Sequence, residues 1–98
     1  MDVGRDGLGA EPLADVDIAP LLRRTVRARL ARALADCGMS GRELARLSGV
    51  SEACLSRILT GKRLPNPDAL VRLCVALNVS ADWLLGLRAV PRAGARPP

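Results

Sequence analysis

Apolar residues recur at intervals of three and four positions along most of the chain, which is the periodicity of helices that bury one face. The first such stripe lies within residues 18–37 and consists of Leu22, Val26, Leu30, Ala33, Leu34 and Cys37. It predicts a helix that begins between residues 18 and 21, with Pro20 in its first turn. Gly38 is the expected C-cap, because glycine readily adopts the left-handed conformation that ends many helices.

The stretch 40–61 predicts two short helices joined by a tight turn. Ser40 and Glu43 have the spacing of a capping box, so we expect Ser40 to be the N-cap of the second helix. Gly49 breaks this helix, and Ser51 is the expected N-cap of the third, which should end at residue 59 or 60. The apolar stripe of the third helix consists of Leu55, Ile58 and Leu59.

Two further helices follow. Asn66 is the expected N-cap of the fourth, with Pro67 at its first position, and Asn78 should end it. Ser80 should cap a short fifth helix. The apolar residues of these two helices are Leu70, Leu73, Cys74 and Leu77, then Trp83, Leu84 and Leu85. Trp83 is the only aromatic residue of the chain, so we expect it to be the largest buried side chain.

The ends of the chain lack this periodicity. We expect residues 1–17 to be a disordered acidic arm, residues 18–86 to be the folded domain, and residues 87–98 to be a disordered basic tail rich in proline and glycine. An arm that lies over the basic body and competes with a ligand is one alternative, and a solvated arm is the other; we favour the solvated arm.

Charge is distributed unevenly along the chain. The formal net charge is +5, but residues 1–19 contain five of the 10 acidic residues and only one of the 15 basic residues. A strongly basic body indicates a polyanionic partner such as nucleic acid. On charge alone, an arginine-rich composition that merely reflects genomic base bias and keeps the protein soluble is an equal alternative.

Several other classes of function are disfavoured. No apolar run approaches the roughly 20 residues of a membrane span, and no signal peptide opens the chain, so the sequence predicts a cytoplasmic protein. Three cysteines without a C-x-x-C motif predict reduced, mostly packed thiols and no metal site. With no His, no Tyr and no phosphate-binding loop, we expect neither an enzyme nor a cofactor.

Five phrases occur in an order and spacing that resemble the phage-repressor-like (Cro/C1, XRE-type) helix-turn-helix domain. They are E-L-A at 43–45, G-V-S at 49–51, L-S-R-I at 55–58, G-K-R-L-P at 61–65 and A-L-N-V-S-A-D-W-L-L at 76–85. The resemblance extends from about Leu30 to Leu85. It implies an all-α fold, a compact five-helix lambda-repressor-like bundle in which helices 2 and 3 form the helix-turn-helix, here with an extended first helix.

The resemblance also implies a DNA-reading surface. Glu52, Ala53 and Arg57 match base-contacting positions of the family, and Ser56 lies beside them. Arg57 suits guanine, because its planar fork reaches O6 and N7 together; the alternative is a solvated surface arginine. Glu52 suits the N4 group of cytosine, and a favourable charge at a helix N-terminus is an equal alternative. The expected phosphate-binding residues are Ser40, Gly41, Arg42, Arg46, Ser51, Lys62 and Arg63. The family usually has glutamine where Gly41 stands.

The sequence therefore predicts a sequence-specific transcriptional regulator of double-stranded DNA, a repressor that binds its operator as a two-fold dimer. The expected dimer surface is the fifth helix with Leu84, Leu85 and Leu87, joined by the N-terminal extension of the first helix. An antitoxin that pairs with a toxin, or an adapter that binds a regulatory protein with the same fold, is the alternative.

Overall fold

The computed structural model of the chain describes residues 13–91, and helices account for most of this range. One 3-10 turn, Leu13–Asp15, precedes five α-helices, and the described range contains no β-strand. The helices are α1 (Ala19–Cys37), α2 (Gly41–Ser48), α3 (Glu52–Leu59), α4 (Pro67–Leu77) and α5 (Ala81–Leu84). The all-α fold class and the five predicted helices are thereby confirmed.

Polar side chains begin the last four helices, as the sequence predicted. Each accepts a hydrogen bond from the backbone N–H three residues further on, at 2.7–3.1 Å, and the caps are Ser40, Ser51, Asn66 and Ser80. In the capping box of α2, only the bond from the Glu43 N–H to Ser40 Oγ is formed. The Glu43 carboxylate does not bond back to the Ser40 N–H, because it lies 3.7 Å from Arg46 Nη2. Gly38 and Asn78 end α1 and α4 in the left-handed conformation, with φ of 65° and 57°.

The core is aliphatic around one aromatic residue. Trp83 is 1% exposed and is the largest fully buried side chain, as expected. The apolar stripe of each of the other helices faces Trp83 or its neighbours. The other large side chains that are fully buried are Val26, Leu30, Leu44, Leu55, Ile58, Leu73, Leu77 and Leu84. Helix α1 contacts α3, α4 and α5, and α2 contacts α3 and α4. The short pair α2 and α3 is therefore supported by the two longer helices.

The three cysteines differ in burial, and one of them lies outside the core although it belongs to the first predicted apolar stripe. Cys74 is buried and Cys54 is partly buried, but Cys37 is exposed although it continues the apolar spacing of α1. The chain turns away at Gly38 directly after Cys37, so the buried stripe of α1 ends at Leu34.

Helix α5 and the segment after it are held against α1 by Arg29. Its Nη1 donates hydrogen bonds to the backbone oxygens of Trp83 and Arg88, at 2.6 and 2.7 Å. The backbone N–H of Ser80 donates to the oxygen of Pro91 at 2.7 Å. Residues 87–91 and residues 13–17, which include the turn at 13–15, therefore have a described conformation within segments that we expected to be disordered. The rest of both segments, 1–12 and 92–98, lies outside the described residues.

Candidate nucleic-acid interface

The turn between α2 and α3 depends on a buried serine and a glycine. Ser48 Oγ accepts a hydrogen bond from the N–H of Val50 at 3.1 Å, which satisfies the buried hydroxyl and closes the turn. Gly49 has φ of 82°, a conformation that costs other residues free energy. A Cβ added to Gly49 would lie 3.1 Å from Arg72 Nη1. Both features fix the angle at which α3 leaves α2.

Helix α3 has one buried face and one exposed face. Leu55 and Ile58 are buried, whereas the expected base-reading residues are all exposed: Glu52, Ala53, Ser56 and Arg57. The helix has 8 residues and is therefore about 12 Å long. The major groove of B-DNA is about 12 Å wide and admits an α-helix.

The C-terminus of α3 leads into a loop with a fixed conformation. The N–H of Gly61 donates to the oxygen of Ile58 at 3.1 Å, and that of Lys62 to the oxygen of Arg57 at 2.9 Å. This pair of bonds, with Gly61 at φ of 77°, is a Schellman motif. The exposed side chains of Lys62 and Arg63 consequently emerge directly beyond the end of α3.

At the other end of α3, its first turn faces the N-terminus of α2 across a cleft of about 230 Å³, whose lining includes Gly41, Arg42, Glu52 and Ser56. Arg42 Nε lies 3.8 Å from Glu52 Oε2, and the two side chains are 84% and 64% exposed. Ion pairs this exposed are worth about 1 kcal/mol or less, so either partner can exchange the other for a ligand. The sequence did not predict this pairing.

The N-terminus of α2 has two backbone donors that face outward. The N–H of Glu43 is bonded to Ser40 Oγ and that of Leu44 to the oxygen of Ser40. Within residues 13–91, the N–H groups of Gly41 and Arg42 have no acceptor. Unpaired amides at the positive end of a helix attract anions.

The expected phosphate-binding residues thus form two groups. Ser40, Gly41 and Arg42 surround the N-terminus of α2, and Ser51 lies across the turn from them. Lys62 and Arg63 lie beyond the opposite end of α3. Arg46 does not line the cleft: it is on the last turn of α2, with its Nη2 3.7 Å from Glu43.

Arginines of α1 border the loop that carries the second group, although the sequence predicted no role for them. Arg27 packs on Gly61, where an added Cβ would lie 3.3 Å from Arg27 Cδ. The arginines at positions 23, 24 and 27 are visible in the sequence. Their proximity to the loop after α3 could not be predicted, because it depends on the packing of α1 on α3.

The expected dimer surface requires one correction. Leu84 is 0% exposed and belongs to the core of the domain, so its side chain is not accessible to a second subunit. The physical reason is that α5 is a single turn, and Trp83 and Leu84 both point inward. Leu85 is partly buried, and Leu87 is 77% exposed.

A family model for helix-turn-helix domains of the Cro/C1 type matches residues 29–84, more than half of the 98 residues. The chain belongs to this family. The phage-repressor-like resemblance is confirmed, and with it the assignment to DNA-binding transcription regulators. The match leaves residues 19–28 of α1 outside the family domain. No curated protein and no solved structure matches the chain.

Two negative findings apply to residues 13–91. None of the helices there is long and apolar enough to cross a membrane. No group of three or more His, Cys, Asp or Glu side chains in that range is arranged to hold a metal ion.

Proposed function

We propose that this Cro/C1-type protein regulates transcription by binding a specific duplex DNA sequence, with α3 in the major groove. The observation that supports this most directly is the exposed outer face of α3, which has basic side chains at both ends and unpaired backbone amides at one of them. In helix-turn-helix proteins the second helix of the pair enters the groove, and its first residues contact base edges.

Base reading is assigned to four side chains of α3. Arg57 donates both arms of its guanidinium to one guanine, and Glu52 accepts from a cytosine after it leaves Arg42. Ala53 offers a methyl group to thymine, and Ser56 donates or accepts. A good bidentate contact such as that of Arg57 contributes about 1–3 kcal/mol of discrimination against the wrong base.

Phosphate binding is assigned to both ends of α3. The phosphates of one strand are bound by the amides of Gly41 and Arg42, the hydroxyls of Ser40 and Ser51, and the side chains of Arg42 and Arg46. Lys62 and Arg63 bind the phosphates of the other strand. These contacts hold α3 in register but carry no sequence information.

The test begins with selection of bound duplexes from a random pool at a stated salt concentration. Arg57→Ala should weaken binding to the selected site by about 1–3 kcal/mol and relax specificity at one base pair. The matched variant Lys62→Ala/Arg63→Ala should weaken binding to all duplexes alike and lower the salt slope by about 0.9 for each lost contact. A wild-type protein that binds no duplex at low salt would refute the proposal.

We further propose that the protein binds as a two-fold dimer through a revised surface. Thr25 of α1 packs against the start of the C-terminal segment, since a Cβ on Gly86 would lie 3.1 Å from Thr25 Cγ2. Leu21 is one turn before Thr25 on α1, and Leu87 follows Gly86; they are 55% and 77% exposed. Both apolar side chains therefore lie beside the contact between Thr25 and Gly86, and a second copy of the chain would cover them.

The dimer is tested by analytical ultracentrifugation of Leu21→Glu and Leu87→Glu in the presence of the selected operator. Val75→Glu is the matched control, because Val75 is 75% exposed on α4. We expect the first two variants to be monomeric and the control to dimerise. A dimer lost only in Val75→Glu would move the interface to α4.

The proposed direction of regulation is repression, because a bound domain blocks a promoter without any further protein contact. Transcription in vitro from a promoter that overlaps the selected site should fall as protein is added. An increase would contradict this assignment.

A further inference from the structure

The N-terminal half of α1 and the loop after α3 form one basic surface. Arg23, Arg24 and Arg27 line a cleft of about 280 Å³ together with Pro20, Thr60 and Gly61. Arg27 is in van der Waals reach of Gly61, since its Cδ and Nε would lie 3.3 and 3.5 Å from a Cβ at that position. The cleft therefore reaches Gly61, which directly precedes Lys62 and Arg63 in the loop after α3.

These arginines differ from the other two on the same helix. Arg29 is committed to two backbone oxygens, and Arg32 Nε lies 3.7 Å from the Asp36 carboxylate. The ion pairs found within residues 13–91 involve Arg32, Arg42, Arg46 and Arg72. None of them involves Arg23, Arg24 or Arg27, so the described structure leaves these three guanidinium groups available to an anion.

The position of the cleft indicates which anion it suits. Its lining includes Thr60 and Gly61, so it lies at the end of α3 that leads into Lys62 and Arg63, the residues to which phosphate binding is assigned. Guanidinium groups match phosphate geometry with paired hydrogen bonds. All three arginines lie before residue 29, where the match to the family domain begins.

We propose that Arg23, Arg24 and Arg27 form an additional binding site for DNA backbone phosphates, which flank the base pairs read by α3. This inference rests on the proposed function, because it concerns the same duplex. The extended first helix thus lengthens the contacted DNA without reading further bases, and it is a feature of this chain outside the shared family domain.

The test compares two duplexes and three variants. One duplex ends at the selected operator, and the other adds about one helical turn, roughly 10 base pairs, on each side. The main variant is Arg23→Gln/Arg24→Gln/Arg27→Gln. The triple replacement by Lys keeps the charge, and Arg32→Gln removes a charge elsewhere on α1. The affinity of each is measured as a function of salt.

For the triple Gln variant on the longer duplex, we expect the log–log salt slope to fall by roughly 2 to 3, about 0.9 for each lost contact. On the short duplex its slope should equal that of the wild type. The Lys variant should retain most of the slope on both duplexes, and Arg32→Gln should bind as the wild type does. Helix content measured by circular dichroism verifies that each variant folds. If the triple Gln variant does not fold, Arg24→Gln alone replaces it, with an expected fall in the salt slope of about 0.9 on the longer duplex.

Three results would overturn the inference: an unchanged slope on the longer duplex, an equal loss on both duplexes, or an equal loss in Arg32→Gln. In each of these cases the wild type still binds its operator, so the proposed function survives. A wild type that binds neither duplex refutes the proposed function itself.

Discussion

Removal of the Arg29 side chain should destabilise the domain far more than removal of its neighbour Arg32. Both guanidinium groups lie over the Trp83 ring, at 5.3 and 6.0 Å from its centroid. Only Arg29 also donates to backbone oxygens, those of Trp83 and Arg88. Comparison of the Arg29 and Arg32 variants therefore separates the contribution of these hydrogen bonds to stability from that of a cation near the indole.

The magnitude follows from what each variant leaves behind. In Arg29→Ala the Trp83 oxygen keeps its bond from the N–H of Gly86 at 3.0 Å, whereas the Arg88 oxygen has no other partner within the described residues. Hydrogen bonds from charged donors contribute about 1.5–3 kcal/mol and a cation–π contact from a partly exposed arginine about 0.5–1, so we expect a total loss of about 2–4 kcal/mol. Arg32→Ala removes an exposed ion pair and the other cation–π contact, and should cost about 0.5–1.5 kcal/mol.

The assay is equilibrium unfolding in guanidinium chloride, followed by circular dichroism at constant pH and salt. The conservative variant Arg29→Lys should fall between wild type and Arg29→Ala, because an ammonium keeps the charge but not the planar fork. If Arg29→Ala and Arg32→Ala differ by less than about 0.5 kcal/mol, the hydrogen bonds do not hold the C-terminal segment and the reasoning is wrong.

Gly49→Ala should lower the free energy of unfolding by about 1–2 kcal/mol, because of its positive φ, while Gly41→Ala in the first turn of α2 should change it little. Equal denaturation midpoints would contradict this difference. Gly41→Gln should strengthen binding to all duplexes by about 0.5–1.5 kcal/mol through one added phosphate contact, measured by fluorescence anisotropy of labelled DNA. A Cβ at Gly41 meets Leu59 Cδ1 at 3.8 Å, an ordinary contact, so weaker binding would refute the phosphate assignment. Burial raises the pKa of the Cys74 thiol above its ordinary 9.0, so a thiol reagent at pH 8 should modify Cys37 first and Cys74 last, as followed by mass spectrometry. Because the raised pKa favours the protonated thiol in the folded state, this contribution to stability is complete below the unfolded pKa and is lost as pH rises through the folded value.

Local features of the fold could be predicted well from the sequence. The N-caps Ser40, Ser51, Asn66 and Ser80 bond to amides three residues away, so the physics of each cap is contained within four residues. The left-handed ends at Gly38 and Asn78 are equally local. The helix-turn-helix follows from these local features together with the apolar stripes between them.

Features that depend on contacts between distant segments could not be predicted. Leu84 and Leu87 are both apolar and close in sequence, yet one is buried and the other is exposed, because α5 ends between them. Arg29 has no local feature that separates it from Arg32; its acceptors lie 54 and 59 positions further along the chain. The proximity of Arg27 to Gly61 likewise requires the crossing of α1 and α3.

The burial of Trp83 has a practical consequence for every solution experiment on this protein. With no Tyr and no Phe, this indole is the only source of intrinsic fluorescence, and α5 packs on α1 and α4. DNA that docks rigidly on α3 should therefore leave the emission wavelength unchanged. A spectral shift during a titration would instead report that the helices rearrange when the duplex binds.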